Sequence, residues 1–318
     1  MSDLRVDEVG AADAEVVRDV IHAAFGARHR VDPPTTALEE TTESVAQTLE
    51  RYGGLLCRVD GEPAGAMLFG VAQSALVLRR VSVVPRLQSR GVASALVGVA
   101  EEVAATRALD DVRLAARAEL PMTVTFWQRR GYAELSRADA SLRLGKALSV
   151  EVFSPDAEAT RKFGAAVAGL VRAGDVVILT GDLGAGKTTL AQGLGAGLGV
   201  RGDVTSPTFV ISRVHPSLSD GPALVHVDAY RLGDGAELDD LDLDAFVDDA
   251  VTVVEWGEGL AEALAEERLR VHVSRPRGNA GAGDVGRTVT VTPVGARWYG
   301  TRVRSRLLGV AAGRSRPV

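Results

Sequence analysis

The chain has 318 residues, 46% hydrophobic and 25% charged, a balance that excludes a disordered or fibrous protein and suits two compact domains of roughly 100–200 residues each. With 36 basic against 42 acidic residues the net charge is −6, which argues against a globally basic nucleic-acid binder. The single cysteine, Cys57, excludes an intramolecular disulfide scaffold and is expected as a small buried hydrophobe in a reducing compartment.

In chain order, residues 1–10 carry Asp3, Asp7 and Glu8 and no apolar run, and no stretch of about 18 uninterrupted apolar residues follows. Neither a signal peptide nor a membrane partner is expected, and the chain reads as cytoplasmic. Val16, Val17, Val20, Ile21 and Ala24 stand at helical spacing behind Asp13, predicting an opening helix over residues 9–25. Alternation in 54–59 and 64–71 around Asp60-Gly61-Glu62-Pro63 predicts paired strands, and 75–84 predicts a longer strand ended by Pro85. A helix over 92–106, a strand over 112–116, a helix over 121–129 and a strand over 141–144 complete a mixed α/β domain spanning 1–147. A new strand at 148–153 and the helix-capping turn Ser154-Pro155-Asp156 place the boundary near residue 147.

The second domain, 148–296, reads as a helix over 157–171, an all-apolar strand over 176–179 and a helix over 188–198. Strands follow at 208–213, 224–228, 251–255, 269–274 and 288–293. Runs of Val and Ile between helices imply a largely parallel, buried sheet, so the fold class is α/β throughout. Residues 234–249 hold eight acids and no base, interleaved with Leu238, Leu241, Leu243, Phe246 and Val247. They read as an amphipathic helix with a solvated face, or else as a docking surface. Residues 297–318 read as a basic tail of six arginines with Trp298 and Tyr299 at its start, either solubilising or set against tRNA phosphates.

Gly181-Asp182-Leu183-Gly184-Ala185-Gly186-Lys187-Thr188, with Thr189 behind it, satisfies the P-loop pattern directly between a buried strand and a helix. The glycines let consecutive N–H groups turn inward on phosphate oxygens, and the helix start adds its positive dipole end. Lys187, one of only three lysines in the chain, can reach the outer phosphates, and the Thr188 hydroxyl is placed to ligate Mg²⁺. Two apolar strands end in acids, Asp228 and Glu255, which can supply oxygen ligands to Mg²⁺ or orient a water at the γ-phosphate. Trp256 is either a core aromatic or part of the nucleotide site.

GDLGAGKTT (181–189), SPTF (206–209), HVDAYRL (226–232) and Glu255-Trp256 together resemble the TsaE family, over residues 150–296. The resemblance implies a P-loop NTPase-like fold and an ATPase that supports threonylcarbamoyladenosine modification of tRNA. It implies a catalytic set of Lys187, Asp228 and Glu255, Mg²⁺ on Thr188 and Asp228, a switch-like loop at 205–208, and Trp256 completing the hydrolytic site. It also implies partners of the threonylcarbamoyl-transferase complex, of TsaB and TsaD type, with tRNA met directly or through them. The alternative is a P-loop small-molecule kinase carrying a non-catalytic docking domain.

In the first domain, Gln88-Ser89-Arg90-Gly91-Val92-Ala93 lies between a strand and a helix, where small residues expose N–H groups at a helix start. Phe126-Trp127-Gln128-Arg129-Arg130-Gly131-Tyr132 lies about forty residues on. Together these resemble the GNAT family of acetyltransferases over most of residues 1–147. The resemblance implies acetyl-CoA as cofactor, with the backbone of Val81 and Val83 pairing its pantetheine arm and Gln88, Arg90, Gly91, Ala93 and Ser94 holding its pyrophosphate. Trp127 stands where many members carry a tyrosine acid, and an indole N–H is not a useful acid. Leu120 and Thr123 also depart from the usual asparagine and alanine. His22, His29, Glu39, Glu40 and Glu119 are all open as catalytic base.

Overall fold

The computed structural model describes residues 3–28, 34–207, 210–232, 248–275 and 286–311. The chain divides into two compact units, Met1–Lys146 and Ala147–Val318.

The first unit opens on strand β1 (Leu4–Val9), antiparallel to β2 (Gly54–Val59), so the opening helix starts only at Ala14. That strand escapes a sequence reading because its burial is partial and its acids break the apolar alternation. Helix α1 (Ala14–Gly26) buries Val17, Val20, Ile21 and Ala24. It packs beside α2 (Thr42–Tyr52), a helix the sequence hid because only Val45 and Leu49 mark its inner face. Its start is fixed by a capping box, with the Thr41 hydroxyl accepting from the Ser44 N–H. Then come β3 (Glu62–Ala72), β4 (Ala75–Val83), α3 (Val92–Thr106), β5 (Asp111–Arg117), α4 (Pro121–Gln128), β6 (Ala133–Ala138) and β7 (Ser141–Ala147). Among the described residues the sheet has seven strands in the order β1-β2-β3-β4-β5-β7-β6. Strands β4 and β5 run parallel, in register from Ala75–Asp111 to Leu78–Leu114. Cys57 is buried as expected, and burial first, then Asp7, raises its thiol to about 11.

The second unit contains β8 (Val150–Ser154), α5 (Ala157–Ala168), β9 (Val176–Thr180), α6 (Lys187–Leu198), β10 (Ser212–His215), β11 (Ala223–Asp228), β12 (Ala250–Glu255), β13 (Arg268–Ser274) and β14 (Arg287–Val294). The sheet order is β10-β11-β12-β9-β13-β14-β8, with β11, β12, β9 and β13 mutually parallel. Strand β9 therefore sits at the centre, buried at all five positions. The Gly-rich face of α6 meets α5 at backbone distance: a Cβ on Gly193 would lie 2.0 Å from the Arg161 carbonyl oxygen. The strand expected at 208–213 forms instead as β10, and residues 208–209 lie outside the described residues, as do residues 234–247 of the acidic stretch at 234–249.

Over residues 297–311 the structure corrects the expected basic tail, and residues 312–318 lie outside the described residues. Trp298 is fully buried, and helix α7 (Val303–Ala311) buries Val303 and Leu307 in the same core as α5 and α6. Three of its arginines are spent on the fold. Arg297 pairs with Asp175 at 2.9 Å and donates to the Leu170 carbonyl, Arg306 donates to the Gly169 carbonyl, and Arg304 donates to the Ser149 carbonyl. Leu170 and Gly169 follow the end of α5, where cations favour the helix dipole. Among the described residues no helix is long and apolar enough to cross a membrane.

Candidate functional site

Strand β9 ends at Thr180 and hands the chain to the loop 181–186. Gly181 has φ +132°, and a Cβ there would lie 2.1 Å from the Val273 carbonyl oxygen; Gly186 has φ +113°, and its Cβ would lie 2.8 Å from Arg287 Nε. Only glycine fits both backbone and space at these positions. Lys187 opens α6 and is 4% exposed. Its Nζ donates to the carbonyls of Gly181 (2.8 Å) and Asp182 (3.0 Å) and lies 3.7 Å from the Trp256 ring centroid. Burial pushes its pKa below the usual lysine range, against the pull of Glu255, Asp228 and Asp182.

Two carboxylates arrive side by side, because β11 and β12 are parallel with Asp228 opposite Glu255. Glu255 accepts from the Thr188 hydroxyl at 3.0 Å on one oxygen and from His226 Nε2 at 3.0 Å on the other. Asp228 accepts from the Ser206 hydroxyl at 2.8 Å and from the Tyr230 N–H at 3.1 Å. Trp256 holds φ +61°, its N–H bonded to the Leu179 carbonyl, and its ring meets Tyr230 at 5.2 Å. Arg287, from β14, donates its Nε to the Ala185 carbonyl at 2.9 Å. A cavity of about 340 Å³ opens among Leu183, Gly184, Gly186, Lys187, Thr188, Thr189, Ser206, Asp228, Tyr230, Glu255, Trp256 and Arg287.

In the first unit the β4–β5 ladder stops at Leu78–Leu114, leaving Val81 and Val83 half-buried beyond it. The Val81 carbonyl accepts from Arg28. Arg80 holds φ +51°, where the β3–β4 register shifts. Gln88, Arg90 and Gly91 are exposed, Gly91 caps α3 at φ +85°, and Ser89 stands at φ +61°. Ser94 accepts from Arg130, which also stacks over Phe126 at 3.7 Å. Trp127 is a core aromatic, 3% exposed and edge-on to Phe126 and Tyr132. Among the bases left open, Glu40 is paired with Arg80 at 2.8 Å. Burial raises its pKa, but hydrogen bonds from Ser44 and Arg80 outweigh this and hold it low. Glu119 pairs with Arg117, His22 contacts the Glu40 carbonyl, and His29 lies outside the described residues.

Residues 154–281 match the family model described as threonylcarbamoyl adenosine biosynthesis protein TsaE. The tRNA threonylcarbamoyladenosine biosynthesis protein TsaE of Streptomyces coelicolor is 63% identical over 139 residues, 43% of this chain and 93% of the relative. The chain belongs to the TsaE family. The like-named protein of Mycobacterium tuberculosis is 46% identical over 154 residues, 46% of this chain and 89% of the relative. The crystal structure of Bacillus subtilis YdiB is 32% identical with a TM-score of 0.38, covering 52% of this chain and 95% of that one. Residues 18–132 match the acetyltransferase (GNAT) family model, so a GNAT-type domain precedes the TsaE-type domain in one chain.

In the TsaE-type unit the structure gathers Leu183, Gly184, Gly186, Lys187, Thr188, Thr189, Asp228, Glu255 and Trp256 around one cavity. Gly181, Asp182 and Ala185 stand behind it, holding Lys187 and Arg287 through their carbonyls. Thr188 bonds to Glu255, whereas Asp228 bonds to Ser206. Sequence reasoning placed Ser206 in a switch-like loop at 205–208 and assigned no role to Tyr230 and His226, although both stand inside a quoted motif. Arg287 has no local signal, because its partner Ala185 is 102 residues away. The oxygen set of Thr188, Asp228 and Glu255 fits Mg²⁺, which needs few protein ligands and keeps several waters.

Proposed function

We propose that the TsaE-type unit hydrolyses ATP in support of threonylcarbamoyladenosine modification of tRNA, working with proteins of TsaB and TsaD type and meeting tRNA directly or through them. The observation that carries this reading is the buried Lys187 on a strand–loop–helix turn, with Thr188 bonded to Glu255 at the end of the adjacent parallel strand. The loop amides and the start of α6 bind the phosphates. Lys187 exchanges the Gly181 and Asp182 carbonyls for outer phosphate oxygens. Thr188 and Asp228 would hold Mg²⁺, which when bound offsets the charge on the phosphates. Glu255, already accepting from Thr188, has lone pairs left to orient a water at the γ-phosphate. The test is Mg-ATP turnover by the full chain, alone and with TsaB- and TsaD-type proteins, against Lys187→Ala. Equal turnover by the variant would reject the assignment.

We also propose that the GNAT-type unit binds acetyl-CoA and transfers its acetyl group to an amine. The support is the exposed loop Gln88–Gly91 at the start of α3, beside a β4 strand released from β5. Arg90, Gly91, Ala93 and Ser94 with Gln88 would hold the pyrophosphate, joined by Arg130 through Ser94. Bound acetyl-CoA supplies an activated thioester. Trp127, enclosed in the core, donates no proton there, so the thiolate leaves unassisted or takes its proton from water, and acyl transfer is slow. Calorimetric titration of acetyl-CoA into the full chain tests the binding step, and no heat of binding would reject it.

A further inference from the structure

Strand β11 carries a second titratable group to the ATP site. Residues two apart on a strand share a face, and His226 lies two residues before Asp228, wholly buried. Its Nε2 is 3.0 Å from one Glu255 oxygen, while its Nδ1 is buried and has no partner among the described residues. A carboxylate oxygen accepts, so the imidazole faces Glu255 as the donor.

Glu255 is thus gripped at both ends, by the imidazole of β11 on one oxygen and by the P-loop threonine on the other. The terminal torsion of a free glutamate is broad and roughly two-fold. Two donors from different elements remove that freedom. We infer that His226 is a positioning residue for ATP hydrolysis: it fixes the plane of the Glu255 carboxylate so that the same group receives the Thr188 proton and presents its free lone pairs to the cavity. This rests on the reading of the second unit as an ATPase. His226 touches no substrate and acts only through Glu255.

The test compares His226→Phe, which fills the space without a donor, with His226→Gln, which offers an amide N–H in its place. Steady-state Mg-ATP hydrolysis, nucleotide affinity from Trp256 fluorescence and thermal unfolding are measured on the full chain. His226→Phe is expected to lower kcat by about 10–100-fold, the usual cost of removing an outer partner that orients a site group, with ATP affinity within two-fold. His226→Gln is expected to recover most of kcat. In isotope-labelled protein the His226 Nε2 signal should move in Glu255→Gln. A folded His226→Phe chain with parental kcat overturns the positioning role alone, as does equal loss of kcat in both variants with a matching loss of stability. A parent chain that turns over no ATP overturns the ATPase reading itself, and the positioning role with it.

Discussion

Lys187 is a cation held in a polar cradle that its own loop supplies, with two carbonyls below and the Trp256 ring above. On the proposed reading, nucleotide phosphates would replace the carbonyls with full negative charge, so the lysine would gain more from ligand than from loop. Lys187→Ala is expected to cost about 1.5–3 kcal/mol of ATP binding, roughly 10–100-fold in affinity, as read by calorimetry. An unchanged affinity would place the phosphates elsewhere. Glu255→Gln should keep Mg-ATP binding and lose hydrolysis by roughly 100-fold or more. The amide replaces one acceptor oxygen with a donor, so it cannot receive from both Thr188 and His226. Parental turnover in this variant would remove Glu255 from the chemistry. These residues were legible in the sequence because the P-loop and the acid-ended strands are local patterns. His226 and Arg287 were not assigned roles, because what they touch depends on strand register rather than on spacing along the chain.

At the scale of elements, the buried central strands were readable, since strands covered on both faces are apolar throughout. Elements at the margins were not. Strands β1 and β6 sit at sheet edges with half-exposed, charged faces, and α2 shows only two apolar residues. Composition also misled at the C-terminus, where arginines look like a solvated tail. The guanidinium groups of Arg297 and Arg306 instead donate to the Leu170 and Gly169 carbonyls after α5, while Trp298 is buried in the core. Trp298→Ala is expected to destabilise the second unit by about 3–5 kcal/mol, seen as a lower denaturant midpoint. Truncation after residue 295 should do at least as much. A truncated chain with undiminished stability and nucleotide binding would restore the reading of this segment as a tail.

At the scale of the whole molecule, each unit has its own sheet and its own hydrophobic core, and each carries its own proposed ligand. A ligand stabilises only the cooperative body whose native state it binds, by about 2.7 kcal/mol at a hundred times its Kd. Two thermal transitions are therefore expected in calorimetry, one raised by Mg-ATP and the other by acetyl-CoA. Lys187→Ala should remove the first response and leave the second. Gly91→Asp should do the reverse, because it sets a negative charge on the loop that would hold pyrophosphate and forces a side chain onto a φ of +85°. The ligand responses are compared as shifts from each variant's own baseline, so that the backbone strain of Gly91→Asp is not counted as lost binding. A single transition raised by both ligands would show that the units melt as one body and that the two binding events are coupled through folding. A transition that no concentration of acetyl-CoA moves would leave the GNAT-type unit without its cofactor.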